Sequence, residues 1–411
     1  MLVKQIDAVL LESTNECREK GQLGVSMRHQ TVQKVLIVGA GISGLTAAIA
    51  LQREGINVTV FERAKELREV GAGFTLWANA IRSLQKIGLS ELVETVGQPL
   101  TGNYILSWQG KVLVELPIDV LAKRFGTPLI VLRRADLQTA LLKAVGEGVI
   151  HRGVPCIGFR QDDTGVWAHL ADGREIFGDL LLGADGIHSG IRAQLFGAAE
   201  LRYTGYTAWR GIAHIAPRSG YEQTATVTWG NGRQFGLIPL SQERICWFAT
   251  LNRPKGMPDG RMGRKQELLE LFHTCHDPVP AVIEAIDDTA ILRSDIYDRP
   301  PLHHWSKGRV TLLGDAAHPM TPSLGQGACQ AIEDAVVLAA CLSTEHSIAT
   351  ALQAYERQRI KRANTIVQRS ARFSQTAQWE HPLAVKFRNT LFKTIPKHTL
   401  VKQWEGILKE V

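Results

Sequence analysis

VLIVGAGISGLTAAIALQREGINVTVFE, residues 35–62, is the stretch that decides the fold. Four apolar residues open it and predict a buried parallel strand, and three glycines then follow in G-x-G-x-x-G spacing before an alanine-rich helix. Gly39 permits the tight turn, Gly41 lets the backbone approach a pyrophosphate, and Gly44 lets the helix pack closely on the strand. The helix N-terminus offers free N–H groups to phosphates, so the stretch predicts a dinucleotide site.

An acidic residue completes this unit. A second predicted strand, residues 56–60, leads to Glu62, whose carboxylate is placed to accept hydrogen bonds from an adenosine ribose and would repel a 2′-phosphate. The glycines alone are also compatible with an ordinary glycine-rich turn. The flanking strands, the helix and the acid together favour dinucleotide binding over that alternative.

Length and composition indicate a globular protein of two closely associated domains. The chain has 411 residues, 45% of them hydrophobic, and no run approaches the ~18 consecutive apolar residues of a membrane-spanning helix. Six scattered cysteines without a C-x-x-C pair favour a reducing, cytoplasmic location. Residues 1–30 carry several acids and lack a long apolar core, so we expect a disordered leader or a start-site artefact.

The strongest metal-like pattern is the cluster of His273, Cys275 and His276. It lacks a second pair of ligands at zinc-site spacing and lies in a polar helical segment. We therefore predict no metal site.

The basic charge is concentrated in the tail. Residues 355–411 carry twelve Lys or Arg against four Asp or Glu, a net charge of +8, whereas the rest of the chain carries −1. This distribution argues against a nucleic-acid-binding protein. In the tail, apolar residues such as Phe387 and Leu391 alternate with lysines and arginines. The pattern fits a helix packed on the protein with a solvated charged face, which we favour, or contact with a membrane surface.

The strand and helix patterns of the sequence differ between parts of the chain. Buried strands that open into glycine-rich turns indicate a Rossmann-like domain with a parallel sheet, whereas residues 203–251 contain successive strands typical of an antiparallel sheet. We therefore predict a mixed α/β (α+β) fold. Its parts are a dinucleotide-binding domain of residues 31–80, 129–196 and 285–345, a substrate domain of residues 81–128 and 197–284, and C-terminal helices over residues 346–411.

Three glycine-rich junctions between a strand and a helix follow one another: Gly39 to Gly44, Asp185-Gly186 and Gly314-Asp315. One ligand contacted by all three would be long, and a dinucleotide with a large flat head group fits that requirement. At these junctions the chain resembles the single-component FAD-dependent aromatic hydroxylases, the class A flavoprotein monooxygenases, and relatives such as zeaxanthin epoxidase. The resemblance spans residues 34–372 and is carried by GAGISG with Glu62, GADGIHSGIR, and GDAAHPMTPSLGQGACQAIEDA.

The resemblance implies a Rossmann-like FAD-binding domain and assigns roles to particular positions. The ADP half of FAD would be held by Gly39, Gly41, Gly44 and Glu62. Asp315 would bind the ribityl chain, and Arg134 would reach the flavin side. Asp185 and Arg192 belong to a motif that in this family serves both FAD and the nicotinamide nucleotide. Pro322, Gly325 and Gly327 would lie against the flavin ring, and Arg63, Gly73, Gly314 and Ala328 complete the candidate site, Ala328 in place of a frequent glycine. Turn or capping roles are the alternative for the two aspartates.

The resemblance also implies a reaction. The sequence has no second G-x-G-x-x-G unit, which agrees with NADH or NADPH acting as a transient co-substrate. In this family reduced flavin reacts with O2, and a C4a-hydroperoxide passes one oxygen to the substrate. The protein's task is then to orient the substrate and to exclude water.

Candidates for the reacting end are Tyr206, Arg210 and Pro322. Strand alternation places Tyr206 and Arg210 on one face and Trp209 on the other. A structural hydrogen bond or salt bridge is the alternative role for Tyr206 and Arg210.

The expected function is hydroxylation of a small aromatic or phenolic compound. Alternatives are epoxidation of an unsaturated lipophilic compound, a flavin dehydrogenase or oxidase without oxygen insertion, and an FAD-containing binding protein. The substrate's identity, the acid/base residue and the oligomeric state are not predicted.

Overall fold

A computed structural model describes residues 32–66 and 73–409. The leader predicted over residues 1–30 lies outside the described residues. The strands are β1 (Lys34–Val38), β2 (Asn57–Glu62), β3 (Gly73–Leu76), β4 (Gln98–Leu100), β5 (Gly102–Ser107), β6 (Val112–Glu115), β7 (Leu129–Arg133), β8 (Ile150–Arg152), β9 (Cys156–Gln161), β10 (Val166–Leu170), β11 (Glu175–Gly178), β12 (Leu180–Gly183), β13 (Arg202–Ala213), β14 (Thr224–Trp229), β15 (Arg233–Ser241), β16 (Arg244–Asn252), β17 (Leu292–Asp298), β18 (Ser306–Lys307) and β19 (Val310–Leu312).

Helices connect these strands and form the C-terminal part of the chain. They are α1 (Ile42–Arg53), α2 (Ala78–Lys86), α3 (Ser90–Val96), α4 (Ile118–Phe125), α5 (Arg134–Val145), α6 (Gly190–Phe196), α7 (Arg264–Phe272), α8 (Val279–Glu284), α9 (Gly327–Thr344), α10 (Ile348–Ala377), α11 (Pro382–Lys393) and α12 (Lys397–Leu408). Short 3-10 turns cover Asp288–Ala290, Gly314–Ala316 and Pro322–Leu324.

A six-stranded sheet in the order β18-β19-β12-β1-β2-β8 confirms the predicted parallel sheet. All its strands except the edge strand β18 run parallel. The register pairs Val38 with Gly183, and Gly183 in turn with Leu312. Because parallel strands end at the same edge of a sheet, the three glycine-rich junctions after β1, β12 and β19 meet there.

A seven-stranded sheet in the order β17-β13-β16-β15-β14-β5-β6 forms the second large sheet. Its strands pair antiparallel except β14 with β5. Side-chain alternation along β13 follows the prediction: Tyr206 and Arg210 line a cavity, whereas Trp209 is buried with Phe235 and Trp247 in the core on the other face.

The limits of the two domains stay a prediction. Within residues 81–128, α3 and β4 contribute Leu92, Val93 and Leu100 to the core that also packs the parallel sheet, whereas β5 and β6 belong to the seven-stranded sheet. Conversely, β17 lies within residues 285–345 and forms an edge of the seven-stranded sheet. The chain therefore crosses between the two sheets repeatedly.

Helix α9 has the length and apolar composition of a membrane-spanning helix, but 67% of it is buried inside the protein. It packs against α1, α2 and α10. Its apolar residues therefore belong to the core, and its N-terminus is aimed at the edge of the parallel sheet where the junctions meet.

Candidate active site

One large cavity of about 2030 Å³ opens where the three junctions meet and extends to the seven-stranded sheet and the C-terminal helices. It brings together most of the residues that sequence reasoning selected: Gly39, Gly41, Glu62, Arg63, Gly73, Arg134, Asp185, Tyr206, Arg210, Asp315, Pro322, Gly325, Gly327 and Ala328 all line it. In the described part of the chain, Gly44, Arg192 and Gly314 do not line the cavity. Each of them instead affects the position of neighbouring residues that do.

The glycines of the first junction have different steric surroundings. Gly39 has a φ of +108°, and a Cβ there would lie 2.5 Å from the Ala184 carbonyl oxygen. A Cβ at Gly44 would lie 1.9 Å from the Gly39 carbonyl oxygen, so α1 and β1 can approach only because Gly44 lacks a side chain. A Cβ at Gly41 would meet nothing within 4 Å and would stand in the open cavity.

Substituting two of these glycines should separate packing from cofactor binding. We expect Gly44→Ala to lower the free energy of unfolding by about 1–3 kcal/mol, because the new methyl group overpacks the helix–strand contact. Gly41→Ala should change it by less than about 0.5 kcal/mol but should lower FAD occupancy, because its methyl group occupies the cavity. Urea denaturation and the absorbance ratio of bound flavin to protein measure the two effects. Equal stability losses for both variants would contradict this division.

Glu62 is held rigidly at the end of β2. Its two carboxylate oxygens accept hydrogen bonds from the backbone N–H groups of Ala40 at 2.8 Å and Ala64 at 2.9 Å. The carboxylate still lines the cavity, and each oxygen has a further lone pair. It can therefore accept hydrogen bonds from a ribose, and its role in binding one stays a prediction.

Asp185 presents an unpaired acceptor at the second junction. One carboxylate oxygen accepts from the N–H groups of Gly190 at 2.8 Å and Ile191 at 3.3 Å. The other, Oδ1, is buried and has no partner among the described residues. Burial raises the pKa of this carboxyl. Buried acceptors rarely stay unpaired, so a ligand with hydroxyl donors, such as a dinucleotide, fits here.

The motif that contains Arg192 implies a contact with a cofactor, but the structure places the Arg192 side chain away from the cavity. Its side chain is buried, and Nη1 donates hydrogen bonds to the carbonyls of Ala316 at 3.0 Å and Ala317 at 2.9 Å. Burial, and then the charge of Arg299, lower its pKa to about 10. Arg192 therefore positions the third junction and does not itself line the cavity.

The third junction projects Asp315 into the cavity. The preceding Gly314 has a φ of +60°, and its N–H donates to Asp334 Oδ2 at 3.0 Å. The Asp315 side chain is exposed to the open cavity. Desolvation by the surrounding protein still raises the pKa of its carboxyl, against the opposing influence of His318 and Arg134. A Cβ at Gly327 would lie 3.9 Å from Asp315 Oδ1, so this carboxylate stands beside the N-terminus of α9.

The N-terminus of α9 supplies hydrogen-bond donors to the same part of the cavity. Gly325, with a φ of +61°, turns the chain after Pro322 into the helix, and Gly327 and Ala328 open its first turn. First-turn N–H groups have no carbonyl partner within their helix and carry the positive end of its dipole. A flat ligand that gains negative charge is stabilised at this position.

A buried ionic network behind Asp315 was not predicted from the sequence. Arg359 of α10 is fully buried and donates from Nε to Asp334 Oδ1 at 2.7 Å and from Nη1 to Glu333. Asp334 also accepts from His318 Nε2 at 2.5 Å, and Glu333 from Arg362 Nε at 2.7 Å. Adjacent acids in an otherwise apolar helix were the available signal, because buried carboxylates require cations.

At the opposite end of the cavity, the structure distinguishes Tyr206 from Arg210. The hydroxyl of Tyr206 accepts a hydrogen bond from Ser374 Oγ at 3.0 Å, so Tyr206 has the structural role left open by the sequence while it also lines the cavity. Burial and then the charge of Arg134 lower the pKa of Arg210 against a smaller opposing influence of Cys246, and no carboxylate of the described residues forms an ion pair with it. Arg210 therefore presents an uncompensated positive charge to the cavity.

C-terminal helices line this end of the cavity, which sequence reasoning did not predict. Trp404 of α12 stacks on Trp77 with 4.0 Å between ring centroids. The apolar part of the wall consists of Ile105, Val114, Leu116, Val227, Trp229, Phe373, Leu391, Phe392, Ile395 and Leu400. The tail is therefore a structural part of the site.

Comparisons with known proteins agree with this arrangement. Residues 32–370 match the family model described as FAD binding domain. Aurachin C monooxygenase/isomerase of Stigmatella aurantiaca is 43% identical over 359 residues, which cover 87% of this chain and 93% of that protein. Chloroplastic zeaxanthin epoxidase of Oryza sativa subsp. japonica is 38% identical over 353 residues, 81% of this chain and 54% of that longer protein.

A solved structure gives the same result. Klebsiella pneumoniae HpxO complexed with FAD and uric acid is similar with a TM-score of 0.87 at 30% identity, over 93% of this chain and 98% of that one. The unpaired Asp185 oxygen and the open space at Gly41 are both compatible with FAD in the cavity. This chain therefore belongs to the FAD-binding-domain family and is an FAD-dependent monooxygenase of class A.

Proposed function

We propose that this enzyme uses NADH or NADPH and O2 to hydroxylate a small aromatic or phenolic substrate at the end of the cavity lined by Tyr206 and Arg210. The supporting observation is the continuity of one cavity from Gly39 to Arg210. At about 2030 Å³ it exceeds the roughly 300–1,000 Å³ of a typical single-ligand site, so it has room for FAD and a substrate together.

Charge in the cavity suits a substrate that becomes negative. Arg134 and Arg210 influence each other electrostatically, and Arg134 also acts on Asp315. A phenolate or a similar oxyanion beside Arg210 would offset the repulsion between the two guanidinium groups. Arg210 would thereby promote loss of the substrate's proton even though no carboxylate or histidine of the described residues lines the apolar wall around it.

FAD, when bound, carries the electrons and activates O2. The protein contributes the position of both ligands and a dry environment. The aromatic and aliphatic wall built by β5, β14 and the C-terminal helices makes the substrate's side of the cavity apolar, which disfavours bound water around the substrate. The N-terminus of α9 stabilises negative charge on the cofactor's side.

A ligand of a similar protein supports an aromatic substrate for this enzyme. The HpxO structure contains uric acid, a heteroaromatic compound, together with FAD. Epoxidation is the second candidate, and the similarity to zeaxanthin epoxidase favours it. Both reactions insert one atom of O2 into an organic substrate, so they share a test that distinguishes them from a dehydrogenase or oxidase.

That test is a substrate screen followed by isotope labelling. The FAD-loaded protein is assayed with NADH and NADPH against phenols, heteroaromatic compounds and unsaturated lipids. A true substrate should accelerate NAD(P)H oxidation without an equal release of peroxide, and its product from ¹⁸O2 should carry one ¹⁸O atom. Peroxide equal to the NAD(P)H consumed with every compound, or a product without the label, would exclude monooxygenation of these substrates.

Arg210 is expected to contribute strongly to turnover but little to cofactor binding. Arg210→Gln should lower kcat/KM by about 10- to 100-fold, the usual effect of losing a charged hydrogen bond, with FAD occupancy unchanged. Arg244→Gln serves as the matched control, because Arg244 lies on the adjacent strand β16 and does not line the cavity. Equal activity of the two variants would show that Arg210 does not contact the substrate.

A further inference from the structure

An apolar stripe on α11 lies outside the protein core. Leu383, Phe387 and Leu391 recur every fourth residue and share one helix face. They are 72%, 63% and 49% exposed, whereas Val385 and Arg388 on the opposite face are buried. Large apolar side chains grouped on one exposed helix face mark an interaction surface.

The segment that carries the stripe is basic. Residues 381–404 contain five Lys or Arg and no Asp or Glu. Arg388 is buried and bonded to backbone carbonyls, but Lys386 and Lys393 are exposed beside the stripe, and Lys402 is exposed on α12. Apolar side chains flanked by lysines are typical of helices that lie in the plane of an anionic membrane surface.

The stripe is continuous with the active-site cavity. Leu391 belongs to both, and Phe392 and Ile395 extend the apolar wall inward from it. Phe392 packs against Trp229 with 4.9 Å between ring centroids. Arg369 and Arg372 of α10 are exposed and line the same part of the cavity, so basic groups also stand where it reaches solvent.

We propose that the stripe on α11 docks on the surface of an anionic lipid bilayer, next to the opening of the cavity. Docking needs no particular chemistry in the cavity and can be tested without turnover. Its consequence for the reaction, that a lipophilic aromatic substrate enters from the lipid past Leu391, rests on the proposed function.

A second copy of the chain is a less suitable partner for this face. Each partner of a standard protein interface buries ~800 Å² and some 20–30 residues, more than a stripe of three side chains offers. Two such faces would also bring like-charged lysines together, whereas anionic headgroups attract them. Charge complementarity therefore favours the bilayer.

Vesicle flotation of the FAD-loaded, full-length protein tests the proposal. We expect binding to phosphatidylcholine vesicles that contain phosphatidylglycerol, and weaker binding to phosphatidylcholine alone or at high salt. The double variant Leu383→Ser with Phe387→Ser should bind at least about tenfold more weakly, because two apolar groups no longer enter the interface. Lys386→Glu should weaken binding about fivefold or more. None of these residues lines the cavity.

Met262→Ser is the matched control, since Met262 is 76% exposed in the loop between β16 and α7. It should bind vesicles like the wild type. Absence of binding to any vesicle, or equal binding by the double variant, would overturn the proposal. A dimer that the double variant abolishes would instead assign the face to self-association. Because vesicle binding is measured without turnover, failure to dock is distinguished from failure of the proposed reaction, and FAD absorbance recorded in parallel shows that each variant carries its cofactor.

Discussion

Arg359→Met is expected to lower the free energy of unfolding by about 3–5 kcal/mol, the usual cost of leaving buried carboxylates without their cation. Arg359 is fully buried and binds both Glu333 and Asp334. A methionine preserves the packing volume but supplies no donor, so two acids lose a buried partner. Urea denaturation measures the loss.

The exposed Arg357 on the same helix provides the control. Arg357→Met should change the free energy of unfolding by less than about 0.5 kcal/mol. Because the network also holds the Gly314 N–H through Asp334, Arg359→Met should reduce FAD retention as well. Stability equal to that of the control would mean that the network contributes nothing to folding.

The same network makes the free energy of unfolding depend on pH. Burial opposes the charged form of Asp334, but His318 and Arg359 overcome this and hold its pKa at about 2. An aspartate with a lowered pKa stabilises the fold above its unfolded pKa of about 3.9, and this contribution is lost as pH falls toward 2. The wild type should therefore lose stability over that range. The Arg359→Met variant should lose less, since protonation relieves the two acids, which keep Arg362 and His318 as partners but lack the Arg359 guanidinium.

Asp315→Ala is expected to weaken FAD binding by about 10- to 100-fold without destabilising the apoprotein. The loss follows from removing a charged acceptor that faces the cavity beside the N-terminus of α9. The apoprotein should stay about as stable because the Asp315 side chain is exposed to the cavity, so its removal leaves no buried group without a partner. FAD titration by fluorescence quenching and thermal unfolding of the apoprotein measure the two quantities.

Asp315→Asn separates hydrogen bonding from charge. The amide keeps an acceptor oxygen and nearly the same shape, so its FAD affinity should lie between those of the wild type and Asp315→Ala. An Asp315→Ala protein that retains FAD like the wild type would remove the proposed role. A destabilised apoprotein would show instead that the carboxylate has a structural partner.

The cofactor end of the site could be predicted because its determinants are local. Gly39 and Gly41 stand between a strand and a helix in one continuous stretch, and Glu62 ends the next strand. Strand alternation was equally local, and it placed Tyr206 and Arg210 together on the correct face of β13. The hydrogen bond from Ser374 to Tyr206 was beyond such reasoning, because 168 residues separate the partners.

The remaining differences between the predictions and the structure concern residues whose roles depend on distant segments of the chain. Arg192 lies within a recognisable motif, but its side chain turns to the carbonyls of Ala316 and Ala317 and not to the cavity. The arginine partners of Glu333 and Asp334 follow on the next helix, and nothing in the spacing reveals which arginine is buried.

By itself, the sequence determined the βαβ unit, the parallel and antiparallel sheets and a dinucleotide site, since hydrophobic periodicity and glycine spacing act over short distances. The resemblance to the class A flavoprotein monooxygenases then implied that the dinucleotide is FAD. Tertiary structure alone decided that the basic tail lines the cavity, that Arg359 neutralises the buried acids behind Asp315, and that Leu391 joins an exposed stripe to the apolar wall. These features arise from packing of α10–α12 on the two sheets. Such packing depends on burial and complementary charge between segments far apart in the chain. Local sequence patterns do not show which distant segments come into contact.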